Sequence, residues 1–401
     1  TLSFAAYAAG WISSALSAGE DPFASMIAIS DPSPSIDGIP GNERMLERFL
    51  NPADIGGRYS ALSFVGLVPA SLLGIDLDSL LAAGAVAAAQ LREPEPTANR
   101  AVALGVIIGA LAREGRDKLT LLVDEPIHGF GAWAEQLVAE STGKQGVGVV
   151  PVDLEPLGTL ESYQDDRLFV RIALNGGRAP RAADGTSADT RLNELAAAGH
   201  PVISYTLSDA IDLGGEFLHW EAATAIAGVV LGINPFDEPN VTESKQNTTA
   251  VLGELAATDA LPELTPKCAD GKLQLWVDGA LPAAFADDAV KLVAGQLQRL
   301  AQRGYIGIHA YIATTPERTA ALTSLRLLLR DATHRATTVG YGPRFLHSTG
   351  QLHKGGAPIG WFIQLVAGRP HDLEIPGSSF TFGQLVDAQA LGDARSLVAH
   401  D

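Results

Sequence analysis

The residues best suited to chemistry crowd into one stretch near the end of the chain, Gly340 to Gly356, which holds His347, His353, Arg344, Lys354 and five glycines. Glycine lets a backbone come close to a bound group and offers its N–H, Arg and Lys complement an anion, and imidazole moves a proton near neutral pH. The stretch reads as a site for a phosphorylated metabolite, with a Gly-rich surface loop as the alternative. Three other segments carry polar groups at useful spacing. Asp54-Ile55-Gly56-Gly57-Arg58-Tyr59-Ser60 sets paired glycines beside a guanidinium. That guanidinium can grip an oxyanion by a planar fork of donors or simply be solvated at a helix start, and Ser60 is placed to cap the helix that follows. Gln136 and Glu140 stand four apart on one helical face, just before Gly143-Lys144. A carboxylate there can aim into a cleft or pair with Lys on the surface. Asn234-Pro235-Phe236-Asp237-Glu238-Pro239 leads to Lys245 and by itself says loop and cap.

Composition narrows the class of function. With 401 residues, 46% hydrophobic and 18% charged, the chain has room for two or three domains with buried cores. A formal net charge of −18 argues against nucleic-acid partners and anionic membrane surfaces, since both need a basic footprint. An anionic substrate must then meet cations placed locally. Cys268 is the single cysteine, so an internal disulfide and a thiolate metal cluster are excluded and a reducing cytoplasm is the natural compartment. The longest apolar runs, Ala61–Ile75 and Ala101–Ala112, are shorter than a bilayer span. Walker, HExxH, GxGxxG and nucleophile-elbow patterns are absent, so neither a metal nor a nucleotide cofactor is expected.

The elements that must position these residues alternate. Apolar helical periodicity runs over Ser60–Leu91, Ala101–Arg113 and from Trp133 to Ser141, with strands expected at Ile27–Asp31, Leu119–Val123, Val147–Val152, Leu168–Leu174 and Val202–Tyr205. Helices at Thr190–Gly199 and around Thr248–Thr258 follow, and the style repeats with helix Ala286–Arg303, strand Tyr305–Ile312, helix Pro316–Thr333 and strand Ala336–Val339. Strands separated by helices imply an α/β fold with layered parallel sheets, and the stretch after Val339 lies at the carboxyl end of a strand, where such sheets bind ligands. Boundaries fall at the Glu93-Pro94-Glu95-Pro96 linker and near Pro262, dividing the chain into 1–95, 96–260 and 261–401. The entries to the helical runs at Leu213–Gly232 and Ser379–Gly392 are similar, so the third region reads as a diverged copy of part of the second.

Taken together and in order, the segments resemble the phosphoglucose isomerase family, and the resemblance covers most of the chain. Asp54 to Ser63 looks like the family's first signature, Asn234 to Lys245 like its second, and Glu140-Ser141-Thr142-Gly143-Lys144 like its ESNGK-type segment. The wording of Gly340–Gly356 is closest to the isomerase portion of bifunctional transaldolase/phosphoglucose isomerase proteins. The resemblance implies sugar isomerase (SIS) domains, the third diverged, acting on glucose 6-phosphate and fructose 6-phosphate without cofactor. It implies Glu140 as the base that shuttles a proton between C1 and C2, Arg58 as the cation that stabilises the cis-enediolate, and Lys245 and His347 in ring opening and positioning. Gly56, Gly57, Gln136, Glu238 and Gln351 would contact substrate, with His353 the second-choice imidazole and Lys354 a phosphate-side cation. Family members often dimerise, so a homo-oligomer is expected from resemblance. A sugar-phosphate-binding SIS module without catalysis is the alternative function.

Three departures from the family stand out. The ring-opening His precedes the Lys in the family, whereas His347 follows Lys245 here, and His200 and His219 lack the family wording; His219 reads as packed or capping. Glu238 replaces the Gln of an FDQ-type triplet, bringing a carboxylate toward an anion. The family's Ser-Lys-Ser-Gly-Thr phosphate cradle would lie just before Leu2-Ser3, and only Thr1 can belong to it. A longer parent chain, with a transaldolase domain in its front, is therefore expected, as is weak activity of the 401 residues alone.

Overall fold

A computed structural model describes residues 2–32, 37–39, 41–262, 264–271, 273–278 and 288–400. The chain divides into two compact units, each assembled from separate stretches of sequence: Thr1–Val106, Leu207–Ile226 and Gly368–Leu385 in one, Ile107–Thr206, Ala227–Ala367 and Val386–Asp401 in the other.

The first unit is mostly helical. Its strands β1 (Ile27–Ser30) and β2 (Glu47–Leu50) pair in parallel. The helical run expected over Ser60–Leu91 is two helices, Phe64–Leu72 and Leu77–Gln90, separated where Gly74 takes a φ of 80° that an L side chain rarely adopts. Asp76 caps the second by accepting from the Ser79 amide at 3.2 Å. The cap of the first is Ser63, not Ser60, because Gly57–Tyr59 forms a 3₁₀ turn and the Ser60 hydroxyl is spent on Gly57 O at 2.5 Å.

The second unit carries two parallel sheets. Strands β3 (Lys118–Val123), β4 (Val150–Val152), β5 (Arg167–Leu174) and β6 (Val202–Leu207) lie in the order β4-β3-β5-β6. Every residue of β3 is buried, as expected when both faces of a parallel sheet are covered. After a short antiparallel pair, β7 (Cys268–Asp270) with β8 (Leu273–Leu275), the strands β9 (Tyr305–Tyr311), β10 (Ala336–Tyr341) and β11 (Gly360–Val366) form a second sheet in the order β10-β9-β11. Its register pairs Ile308 with Val339 on one side and with Ile363 on the other, all in parallel. Helix Pro316–Thr333 links β9 to β10, and Leu322 and Leu329 from it pack on Ile306, Ile308 and Ala310. The sheets meet in one core, where Val150 and Val152 of β4 contact Tyr305, Ala336, Ala139 and Leu352.

The differences from expectation are local. Strand β11 and the β7–β8 pair were not foreseen, the helix expected over Ala286–Arg303 is Ala289–Leu297 within the described residues, and that around Thr248–Thr258 starts earlier, at Pro239. Among the described residues, no helix is long and apolar enough to cross a membrane.

Candidate active site

Gln136 and Glu140 lie on helix Gly129–Thr142, and the Gln136 amide donates to Glu140 Oε2 at 3.2 Å. Glu140 is buried in the last turn of that helix. The turn that follows is tightly built. Thr142 Oγ1 donates to Val138 O at 2.7 Å and accepts from the Val149 amide at 3.0 Å. A Cβ on Gly143 would stand 2.3 Å from Leu352 Cα, so no other residue fits there without moving the backbone opposite. Lys144 is fully buried, and its ammonium donates to the carbonyl of Asp237 and, at 2.7 Å, to its carboxylate. The turn after Glu140 is thereby tied to the Asn234–Glu238 segment.

That segment opens helix Pro239–Thr258, with Pro239 at the first helical position and Glu238, exposed, at the N-cap without a capping hydrogen bond. Lys245 projects from this helix and lines a cavity of about 200 Å³ together with Ser244, Thr248, Thr249, Leu346, His347 and Gln389. His347 ends the 3₁₀ turn Arg344–His347 that follows β10. Its pKa lies below the ordinary imidazole value because its ring is partly desolvated and because the charges of Lys245 and Lys354 disfavour the imidazolium. A neutral imidazole and a cation thus share one small cavity, suited to a hydroxylated anion.

The end of the Gly-rich stretch turns inward. Instead of an open loop it forms helix Gly350–Gly355. Lys354, read from sequence as a phosphate-side cation, is 1% exposed and paired at 2.7 Å with the equally buried Asp393 of helix Phe382–Ala399. His353 packs beside Tyr305, His309 and Phe362, its Nδ1 hydrogen-bonded to the Tyr305 hydroxyl at 2.7 Å. Burial, with His309 and Lys354 nearby, holds it well below the usual imidazole range. It does not line the cavity, whereas His347 does. Gln351 is fully buried and bonds to protein groups, with its amide donating to Gly143 O at 2.9 Å.

Arg58 belongs to the first unit, where it is buried within the 3₁₀ turn Gly57–Tyr59 and its guanidinium carbon sits 5.2 Å from the Tyr59 ring centre. Gly56 and Gly57 beside it are exposed. His219 is buried in helix Leu213–Leu231, 3.7 Å from Glu216, consistent with a packed residue. Thr1 lies outside the described residues.

Sequence reasoning passed over several groups. Glu135, next to Gln136, is pushed up to about 8 by burial and by the Asp153 carboxylate, itself raised to about 6 by burial. His309, in the centre of β9, is driven down to about 4 by burial. Nothing local marks either residue, since the perturbing groups come from other strands and helices.

The chain has relatives of known name. A glucose-6-phosphate isomerase of Symbiobacterium thermophilum is 33% identical over 238 residues, 52% of this chain and 53% of that protein. The glucose-6-phosphate isomerase of Pediococcus pentosaceus is 31% identical over 253 residues, 55% of this chain and 56% of its own. The chain thus spans about half the length of the curated relatives it matches. A crystal structure of a hypothetical protein from Thermus thermophilus shares the fold at a TM-score of 0.51, with 23% identity over 59% of this chain and 64% of that one. No family model matches the chain. Over about half its length the chain is similar to glucose-6-phosphate isomerases.

Proposed function

We propose that this chain carries the isomerase chemistry that interconverts glucose 6-phosphate and fructose 6-phosphate through a cis-enediolate. In this reading Glu140 removes the proton from C2 of the open-chain aldose and returns it to C1, so that no net proton is consumed. The Gln136 amide on Glu140 Oε2 holds the carboxylate in place for both transfers. The family resemblance assigns the developing oxyanion to Arg58, and such preorganised charge is worth most where water is excluded. His347, neutral because of its surroundings, takes or gives the ring hydroxyl proton while Lys245 draws the sugar's oxygens into the cavity.

The observation that carries the proposal is the convergence of His347 and Lys245 on one cavity in a chain similar to glucose-6-phosphate isomerases. The finer reading, that the chain is the isomerase portion of a longer cytoplasmic transaldolase/isomerase, is supported by the wording of Gly340–Gly356 and by the single cysteine, Cys268. A coupled assay of fructose 6-phosphate conversion, on the full-length parent and its Glu140→Gln variant, tests the core claim. Activity that collapses in the variant supports it. A parent that binds sugar phosphate without turnover refutes it in favour of a binding module. Transaldolase activity in the same parent tests the fusion.

A further inference from the structure

Gln351 occupies an unusual position in the second unit. Its side-chain amide donates to Gly143 O at 2.9 Å and to Asn240 Oδ1 at 2.8 Å, while its Oε1 accepts from the Asn240 backbone N–H at 2.9 Å. Gly143 lies three residues after Glu140, Asn240 is in the first turn of the helix that bears Lys245, and Gln351 itself lies four residues after His347. One amide, with no surface exposed, therefore joins the three segments that carry the proposed chemistry.

The packing around it is specific. A Cβ on Gly355 would approach Asn240 Oδ1 and Gln351 Nε2 at 2.6 Å and Gly143 O at 2.7 Å, so Gly355 closes over all three partners of the bridge. Its carbonyl also accepts from the Gly146 amide at 3.0 Å, a second stitch between the same two segments. With all three of its hydrogen bonds made inside the protein, Gln351 is committed to protein and not to ligand.

We infer that Gln351 is a positioning residue, one that sets Glu140, Lys245 and His347 relative to one another without touching the sugar. The inference rests on the isomerase reading for its chemistry and on the hydrogen-bond geometry for the bridge. Loss of the bridge then lowers kcat, because the reacting groups drift from their productive spacing, and leaves KM nearly unchanged.

Three variants test this. Gln351→Met keeps the side-chain length and removes every bond, and Gly355→Ala leaves Gln351 in place but pries the bridge apart. Each is expected to lower kcat by about 10- to 100-fold, with KM within about threefold. Gln351→Glu supplies the conservative rescue. A carboxyl buried against carbonyl oxygens titrates well above its ordinary range, and its protonated form can donate again, so the ratio of variant to wild-type kcat should climb as pH falls from about 8 to about 6. A merely structural role would not produce that recovery.

Amide hydrogen exchange in all three variants is read alongside, and it does not depend on turnover. Faster exchange in the peptides around Gly143–Val149 and Asn240–Lys245 is expected for Gln351→Met and Gly355→Ala. A raised KM with intact kcat would make Gln351 a substrate contact and overturn the inference. So would unchanged exchange in both peptides. If the wild type itself is inactive, the isomerase reading fails, and the exchange data alone decide whether the bridge fixes these segments.

Discussion

Lys354 offers the sharpest test of how the Gly-rich stretch works. Its ammonium and the Asp393 carboxylate are 1% and 0% exposed and 2.7 Å apart, and Asp393 also accepts from the Tyr311 hydroxyl at 3.4 Å. Lys354→Met preserves the stem and leaves a buried carboxylate with a long hydroxyl contact and the His309 ring, whose Nδ1 lies 3.8 Å away. Breaking a buried pair by removing one partner costs about 3–5 kcal/mol. At about 2–4 °C per kcal/mol for a body of this size, melting should fall by roughly 10 °C. Removing both charges in Lys354→Met/Asp393→Leu should recover much of that loss, since a well-packed apolar pair replaces an ion pair at little net cost. The assays are thermal melts followed by circular dichroism, and the KM for fructose 6-phosphate measured well below melting. The single variant is expected to lose stability while KM stays within about twofold. A variant that melts like the wild type but binds substrate about tenfold more weakly would refute the reasoning and return Lys354 to the phosphate.

Other perturbations follow from the same geometry. Glu140→Gln keeps the size of the side chain but cannot take a proton, so kcat should fall by about 10²- to 10⁴-fold with the melting temperature nearly unchanged, and an active variant would exclude Glu140 as the base. Lys245→Met removes a cation that disfavours the His347 imidazolium, so the His347 pKa, followed by NMR titration, should rise toward the ordinary imidazole value; a fall or no change would contradict the shared cavity. His309 has a folded pKa of about 4 against an ordinary 6.5, so between these values the unfolded chain binds a proton that the native one excludes. Its contribution to stability, about 3 kcal/mol, is therefore present above about pH 6.5 and lost as pH falls toward 4. His309→Phe, which keeps the stacking on Phe345, should flatten the pH dependence of urea melts, and an unchanged slope would show that the imidazole is protonated in the native state.

What could be read from the sequence was whatever depends on neighbours along the chain. Strands β3, β5 and β9 announce themselves as apolar runs between turns, and helix Gly129–Thr142 by its periodicity, which also places Gln136 and Glu140 on one face. Strand β11 escaped because Gly360-Trp361-Phe362 follows a Gly- and Pro-containing segment, and its identity rests on pairing with β9, more than forty positions earlier. Ser60 looked like a cap because Ser is a good cap residue, but the 3₁₀ turn before it already uses its hydroxyl. Lys354 looked like a ligand cation because its partner Asp393 lies 39 residues away on another helix.

The Gly-rich stretch shows why residue types misled where residue positions did not. Each of three segments pairs a residue suited to chemistry with one that stitches it in place: Glu140 with Gly143, Lys245 with Asn240, His347 with Gln351. The stitching residues are as polar, or as small, as those expected to meet a ligand, so composition alone cannot separate the two. Gly355 was read as admitting a ligand to the backbone, yet the atoms that crowd it are the partners of the Gln351 bridge, just as Leu352 Cα crowds Gly143. Close approach is indeed what these glycines permit, but between chain segments. The cavity face of the stretch, at His347, is open to a small molecule, and it faces the side of helix Pro239–Thr258 that carries Lys245.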